Sequence, residues 1–277
     1  MHPTMKQGSG GRLPEELAEA IRETAGDIAA LLRGAADSTR AVPRSAWTVG
    51  EAAAHLALAN ELMADLARGR ERPYGDGTPQ SLAGANARAL AAFEERRPEP
   101  LAAMIAEQAE AFLDAVDRAA GEGAADEPAL VTPLGRMGRA TLASYLLTHM
   151  LGHGYDLARA LGRPHMVDPG RVGLCMPFML LVMPRVAAAS TAGVTARYSI
   201  RLRGGATFGV ALDDGAVRVT PRPPLRPDCT ILIEPVAFLL IALGRRTPWW
   251  AMARGHVIAW GRKPWLAPGF PNLFTAP

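Results

Sequence analysis

Two histidines stand four residues apart, His149 and His153, in a stretch whose apolar residues recur at helical spacing. On a helix that spacing puts both rings on one face. The same face carries Tyr145, Leu146, Asp156 and Leu157, an inward-looking stripe. A third histidine, His55, falls on a separate helical stretch and shares its face with Ala52, Leu58, Ala59 and Leu62. Helical bundles build metal sites in this way, from side chains on facing helices. Three neutral imidazoles with an open coordination position make a catalytic, zinc-like site. A single H-x-x-x-H says little, since core histidines are common. Three imidazoles turned to one interior are different, because unpartnered polar groups are costly to bury. The expected ligand set is therefore His55, His149 and His153.

Two carboxylates stand close enough in sequence to orient those ligands. Glu51 is one turn before His55, and Asp156 lies three residues beyond His153; either could hold a ligating ring, although a carboxylate on a helix surface is the commoner case. His165 sits in a proline-rich turn and His2 near the N-terminus, and neither is expected to take part. His256 precedes a short apolar strand and is a candidate to line a cleft. Cys175 and Cys229 form neither a C-x-x-C pair nor a disulfide framework. No serine nucleophile or second ligand cluster stands out, which argues against a hydrolase.

These residues need helices to position them. Leu17, Ile21, Ile28, Leu31 and Leu32 mark a first helix, expected to run on until Pro43 breaks it. Thr48 with Glu51 three residues later reads as a capping box, opening a helix to about Ala67 that carries His55. A loop rich in glycine and proline follows, then helices over about 81–97 and 98–120. A longer connection, in which Leu130 to Thr132 is extended, leads to the helix 141–161 with the histidine pair. An apolar helix is expected over about 171–188. From Thr195 the period changes to alternation: Tyr198, Ile200 and Leu202 against Ser199, Arg201 and Arg203. Asp214-Gly215 marks a hairpin, 229–233 a strand and 235–243 a helix. The expected organisation is a flexible leader over 1–12, a helical bundle over 13–190 and a small α+β domain over 191–277.

Composition fits that plan. Of 277 residues 49% are hydrophobic and 21% charged, ample for a core and unlike a disordered chain. No apolar run reaches the roughly 18 residues of a membrane span, and the N-terminus has no secretory h-region, so a cytoplasmic protein is expected. Charge is uneven: residues 1–190 hold 19 Lys/Arg against 23 Asp/Glu, whereas 191–277 hold 11 against 4. The arginines of the basic end are scattered and accompany no nucleic-acid motif, so no nucleic-acid partner is expected.

The stretch Ser45-Ala46-Trp47-Thr48-Val49-Gly50-Glu51-Ala52-Ala53-Ala54-His55-Leu56-Ala57 resembles the first signature of the mycothiol-dependent maleylpyruvate isomerase family. Residues 147–164, LTHMLGHGYDLARALGRP, resemble its second. Asp228-Cys229-Thr230, Pro235 to Phe238 and Gly255 to Arg262 resemble its C-terminal domain. The resemblance implies a DinB-like up-down four-helix bundle followed by a small SCP2-like α/β domain. It also implies a divalent metal, zinc foremost, at His55, His149 and His153, with mycothiol as the thiol cosubstrate. Arg262 is the residue matching an arginine that the family's C-terminal domain supplies; Arg262 and Asp156 are the candidate catalytic residues, and Trp260 with Arg262 the candidates to bind the thiol. One departure matters: where the isomerase pattern has Glu in its second signature, this chain has His149. An all-histidine set resembles the wider DinB-like thiol S-transferases. The leading expectation is thus a metal-dependent mycothiol S-transferase acting on a small electrophile, in detoxification or in natural-product assembly such as lincosamide thiol exchange. The alternatives are the cis–trans isomerase itself and a non-enzymatic, metal-stabilised ligand-binding protein. Expected partners are the small thiol and its electrophile, with no membrane, and the chain as monomer or homodimer.

Overall fold

The computed structural model describes residues 12–70, 72, 74–76, 78–121 and 129–275. The expected leader, His2 included, lies outside these residues apart from Arg12. Helix α1 (Glu15–Arg33) opens with two glutamates in its first turn, where negative charge complements the helix dipole. It buries Leu17, Ile21, Ile28 and Leu32, the stripe expected from their spacing. It ends ten residues short of Pro43. After Gly34, the Asp37 carboxylate accepts from the Thr39 N–H and hydroxyl at 2.8 and 2.6 Å, a local turn that competes with helix.

Helix α2 (Val49–Ala67) begins at the capping box read from the sequence. Helix α3 (Leu82–Ala92) is shorter than expected. Beyond it the Arg96 guanidinium donates to the carbonyls of Leu90, Phe93 and Glu95, satisfying backbone acceptors that more helix would otherwise have satisfied. Helix α4 spans Pro98–Gly121, and a two-stranded ribbon of β1 (Leu130–Thr132) and β2 (Gly135–Met137) precedes helix α5 (Arg139–Leu161). Gly162 closes α5 in the left-handed region (φ +67°), which a residue without Cβ adopts at no steric cost. Helices α1 and α2 each pack against both α4 and α5, so these four form the bundle and α3 lies on α2.

The chain divides into two compact units, residues 1–166 and 167–277. The change of periodicity put the boundary near residue 190, but helix α6 (Pro169–Val182) packs on helix α7 (Pro235–Ala242) within the second unit. Periodicity marks where helix gives way to strand, not where one core ends. Helix α6 also stops at Val182 and tightens into a 3₁₀ turn over Met183–Val186, with Pro184 in its opening positions.

The second unit is a five-stranded mixed sheet in the order β5-β4-β3-β6-β7, with β3 parallel to β6 and its other pairs antiparallel. Its strands are β3 (Ala196–Leu202), β4 (Thr207–Asp213), β5 (Ala216–Thr220), β6 (Cys229–Ile233) and β7 (Val257–Trp260). Tyr198, Ile200 and Leu202 are buried while Arg201 and Arg203 are exposed, as the alternation anticipated, but Ser199 on the opposite face is buried too, so that face is covered at its middle. Helix α8 (Pro248–Ala253) precedes β7. A helical N-terminal region thus precedes a C-terminal α/β domain. No helix among the described residues is long and apolar enough to cross a membrane.

Candidate metal centre

Helices α2 and α5 bring His55, His149 and His153 together. One ligand nitrogen from each lies within 4.8 Å of the other two, and this is the one such cluster of His, Cys, Asp or Glu among the described residues. Ring centroids are 5.1 Å apart for His55–His149, 4.9 Å for His55–His153 and 4.5 Å for His149–His153. The Nε2 atoms of His55 and His149 stand 3.2 Å apart. Tetrahedral ligands at about 2.0–2.1 Å from a zinc ion lie about 3.3 Å from one another, so this pair already has the spacing of two ligands. His55 is only 5% exposed, and burial lowers its pKa to about 4. It is therefore neutral at pH 7, with a lone pair to offer. The donor set fits a divalent cation.

Local contacts set the helices and rings of the triad. The Thr48 side chain accepts from the Glu51 N–H at 3.3 Å, while the Glu51 carboxylate accepts from the Thr48 N–H at 2.8 Å. That pairing fixes the start of α2, two turns before His55. It also commits Glu51 to the helix end rather than to a ligand. On α5, the Asp156 carboxylate lies 3.7 Å from His153 Nδ1, and both side chains are 14% exposed. An anion on that side favours a proton on Nδ1 and leaves Nε2 as the donor to a metal. Tyr145 meets His149 edge-on, with centroids 6.2 Å apart, and burial pushes its phenol pKa up. Next to His153, Gly154 permits close packing. A Cβ there would meet Met166 Sδ at 2.8 Å and Ile28 side-chain atoms at 3.1 and 3.2 Å.

Sequence reasoning assigned no role to Trp47, yet its indole lies against the cluster, 4.7 Å from His55 and 6.0 Å from His153 between centroids. The signal was its place in the stretch 45–57 that resembles the family's first signature, immediately before the N-cap of α2.

The other candidates belong to other elements. Arg262, in the second unit, donates from Nη2 to the Asp228 carboxylate at 2.6 Å, with its side chain 74% exposed. Asp228 also accepts from the Arg197 N–H at 3.0 Å and has the Lys263 ammonium at 3.6 Å. Burial opposes its ionisation, but these partners outweigh burial and hold its pKa below the ordinary value. Trp260 is exposed on β7 with the Arg201 guanidinium 6.0 Å from its ring. His256 stacks on Trp250 at 5.4 Å, and His165 meets the Tyr155 ring at 5.1 Å. Cys175 is buried, and burial raises the Cys229 pKa to about 11, so Cys229 is no nucleophile at neutral pH.

Comparison with known proteins places this geometry in context. The structure resembles the crystal structure of the mycothiol-dependent maleylpyruvate isomerase (TM-score 0.50, 16% identity), covering 89% of this chain and 93% of that one. A histidine-to-alanine mutant of that isomerase gives the same coverage and identity with a TM-score of 0.54. The stereoselective inverting sec-alkylsulfatase Pisa1 from Pseudomonas sp. matches at TM-score 0.32 and 12% identity, over 49% of this chain; the chain spans 24% of that enzyme. No curated protein matches the chain in sequence. The family model of the mycothiol maleylpyruvate isomerase N-terminal domain matches residues 17–158, just over half of the chain and all three histidines. By that match, the chain belongs to the mycothiol maleylpyruvate isomerase family.

Proposed function

We propose that this protein is a metal-dependent enzyme that transfers a low-molecular-weight thiol, mycothiol, to a small electrophile, and that zinc is its metal. The observation that carries the reading is the third histidine. By the resemblance, His149 stands where the isomerase signature has a carboxylate, so the set His55, His149 and His153 offers three imidazoles and no carboxylate. A divalent cation on three neutral ligands keeps its full charge and supplies the Lewis acidity that makes a thiol ionise at neutral pH.

The chain's own residues do the rest. His55, neutral through burial, contributes a lone pair without first losing a proton. Asp156 orients His153 through Nδ1. The transfer forms one sulfur–carbon bond and breaks one bond from that carbon to a leaving group. The departing group takes the bonding electron pair, and the thiol proton passes to solvent or to that group. No step requires a base beside the adduct, and the triad provides no carboxylate to act as one. Within the second unit, we assign Arg262 and Trp260 to contacts with the thiol or the electrophile, on the strength of the family resemblance and the basic charge of residues 191–277.

The isomerase reading is the alternative, favoured by the family description of residues 17–158. In it the thiol adds reversibly, rotation follows, and the thiol leaves unchanged. One experiment separates the two: incubation with mycothiol, Zn²⁺ and a panel of electrophiles that includes maleylpyruvate, read by mass spectrometry. Transfer yields a stable product carrying the thiol and consumes it mole for mole. Rapid conversion of maleylpyruvate to fumarylpyruvate with all thiol recovered overturns the transferase reading.

A further inference from the structure

We infer that Trp47 is a positioning residue of the metal centre, an aromatic cover that holds His55 and His153 and favours their metal-bound form. The inference rests on the proposed metal-binding role of the triad and adds to it a residue outside the ligand set.

Two independent observations carry it. The first is the indole's place against two of the three rings, at 4.7 and 6.0 Å between centroids and tilted by 42° and 31°. An imidazole that donates to a dication takes on positive charge. The face of an indole attracts cationic charge within about 6 Å of its centroid, and does so most strongly where water is excluded. Trp47 is half-buried and His55 is buried, so little water screens the interaction. The same contact limits rotation of both rings before a metal arrives.

The second is the segment that carries Trp47. Residues 41–48 form a tight hairpin closed by an antiparallel bridge between Ala41 and Thr48. The Val42 N–H donates to the Trp47 carbonyl at 2.9 Å, and the Trp47 N–H donates to Ser45 Oγ at 3.1 Å. At its turn Arg44 has φ +65°, a left-handed conformation uncommon for a side chain that is neither Gly, Asn nor Asp. Such a conformation persists only where the surroundings over-determine it. Two further backbone bonds, Val49 N–H to Arg40 and Gly50 N–H to Ser38, tie the hairpin to the start of α2. Gly50 is pressed so close that a Cβ would stand 2.7 Å from the Arg96 carbonyl. The hairpin is therefore a rigid mount that sets the indole relative to His55.

The test uses the full chain stripped by chelator and titrated with Co²⁺, whose visible bands report ligand geometry and whose uptake quenches nearby indole emission. Trp47 is the only tryptophan among residues 1–166. Trp47→Phe, Trp47→Met and Trp47→Leu are compared with wild type, retaining those whose metal-free circular dichroism matches it. Trp47→Phe should stay within about threefold of the wild-type Co²⁺ affinity. The aliphatic variants should lose roughly five- to thirtyfold and show altered visible bands. The wild-type emission quenched on Co²⁺ uptake should follow the visible bands with one midpoint, and that quenching should be smaller in Trp47→Phe. Aliphatic variants that bind as tightly as wild type overturn the inference. So does a Trp47→Phe variant as weak as the aliphatic ones, because the ring face would then be irrelevant. A wild-type protein that takes up no Co²⁺ overturns the metal reading itself, and this inference with it.

Discussion

His153 reaches four groups: His149 one turn back, His55 across on α2, the Asp156 carboxylate near its Nδ1, and the Trp47 indole. Its removal should therefore empty the site while sparing the helix, whose stability comes from packing. His153→Ala should purify with less than about 0.1 equivalent of divalent metal, against about one for wild type by the three-ligand argument, with unchanged circular dichroism. Elemental analysis of protein never exposed to chelator decides it. Asp156→Asn keeps the shape but removes the charge that favours the Nδ1 proton. Metal affinity should fall by about tenfold or more, as for other groups behind a ligand, measured by competition with a chromophoric chelator. An unchanged affinity would show that the 3.7 Å approach of Asp156 is incidental.

Among the elements, α5 carries two ligands and also meets α1 at Gly154. Gly154→Ala sets two opposing effects against each other. Alanine is the better helix former by about 1 kcal/mol, but its Cβ would press on Met166 and on Ile28, which is fully buried. Overpacking costs about 1–3 kcal/mol, so a net loss of about 1 kcal/mol is expected in denaturant unfolding. In the second unit, Asp228 joins the N–H of Arg197 in β3 to Arg262, just past β7. Its pKa is lowered in the folded protein, so its contribution is fully present above the unfolded carboxyl pKa and disappears as pH falls through the lowered value. Asp228→Asn should be less stable than wild type at pH 7, and the gap should close under acid. Melting curves from pH 7 to pH 3 test this; a gap that widens on acidification contradicts the assignment.

For the whole molecule, a metal at a hundredfold excess over its Kd stabilises the folded form by about 2.7 kcal/mol. Calorimetry should show that gain in the unfolding of residues 1–166, which contain the triad, and not in His153→Ala. Much of this organisation was legible in the sequence. Helical and alternating periods located the bundle helices and the strands, because burial on one face leaves a repeat. The triad was legible for the same reason: each histidine takes the phase of its helix's apolar stripe. What escaped was aperiodic. The end of α1 depends on a side-chain turn at Asp37, and the place of α6 on contacts with α7, nearly 60 residues later. Trp47 reaches the site through the hairpin over 41–48, where backbone bonds and one left-handed residue set direction without any repeat to announce it.

Gly154 carries a consequence of its own. His153 and Gly154 are consecutive on one helix, so the ring bound for the metal and the backbone wedged against Ile28 move as one body. The centre is thereby geared to the seam between two helices, one of which supplies no ligand. Heat or mutation that opens this seam should turn His153 away from its partners before the bundle comes apart. For the metal proposed at the triad, release should then precede unfolding, signalling strain in the scaffold while the fold itself still stands.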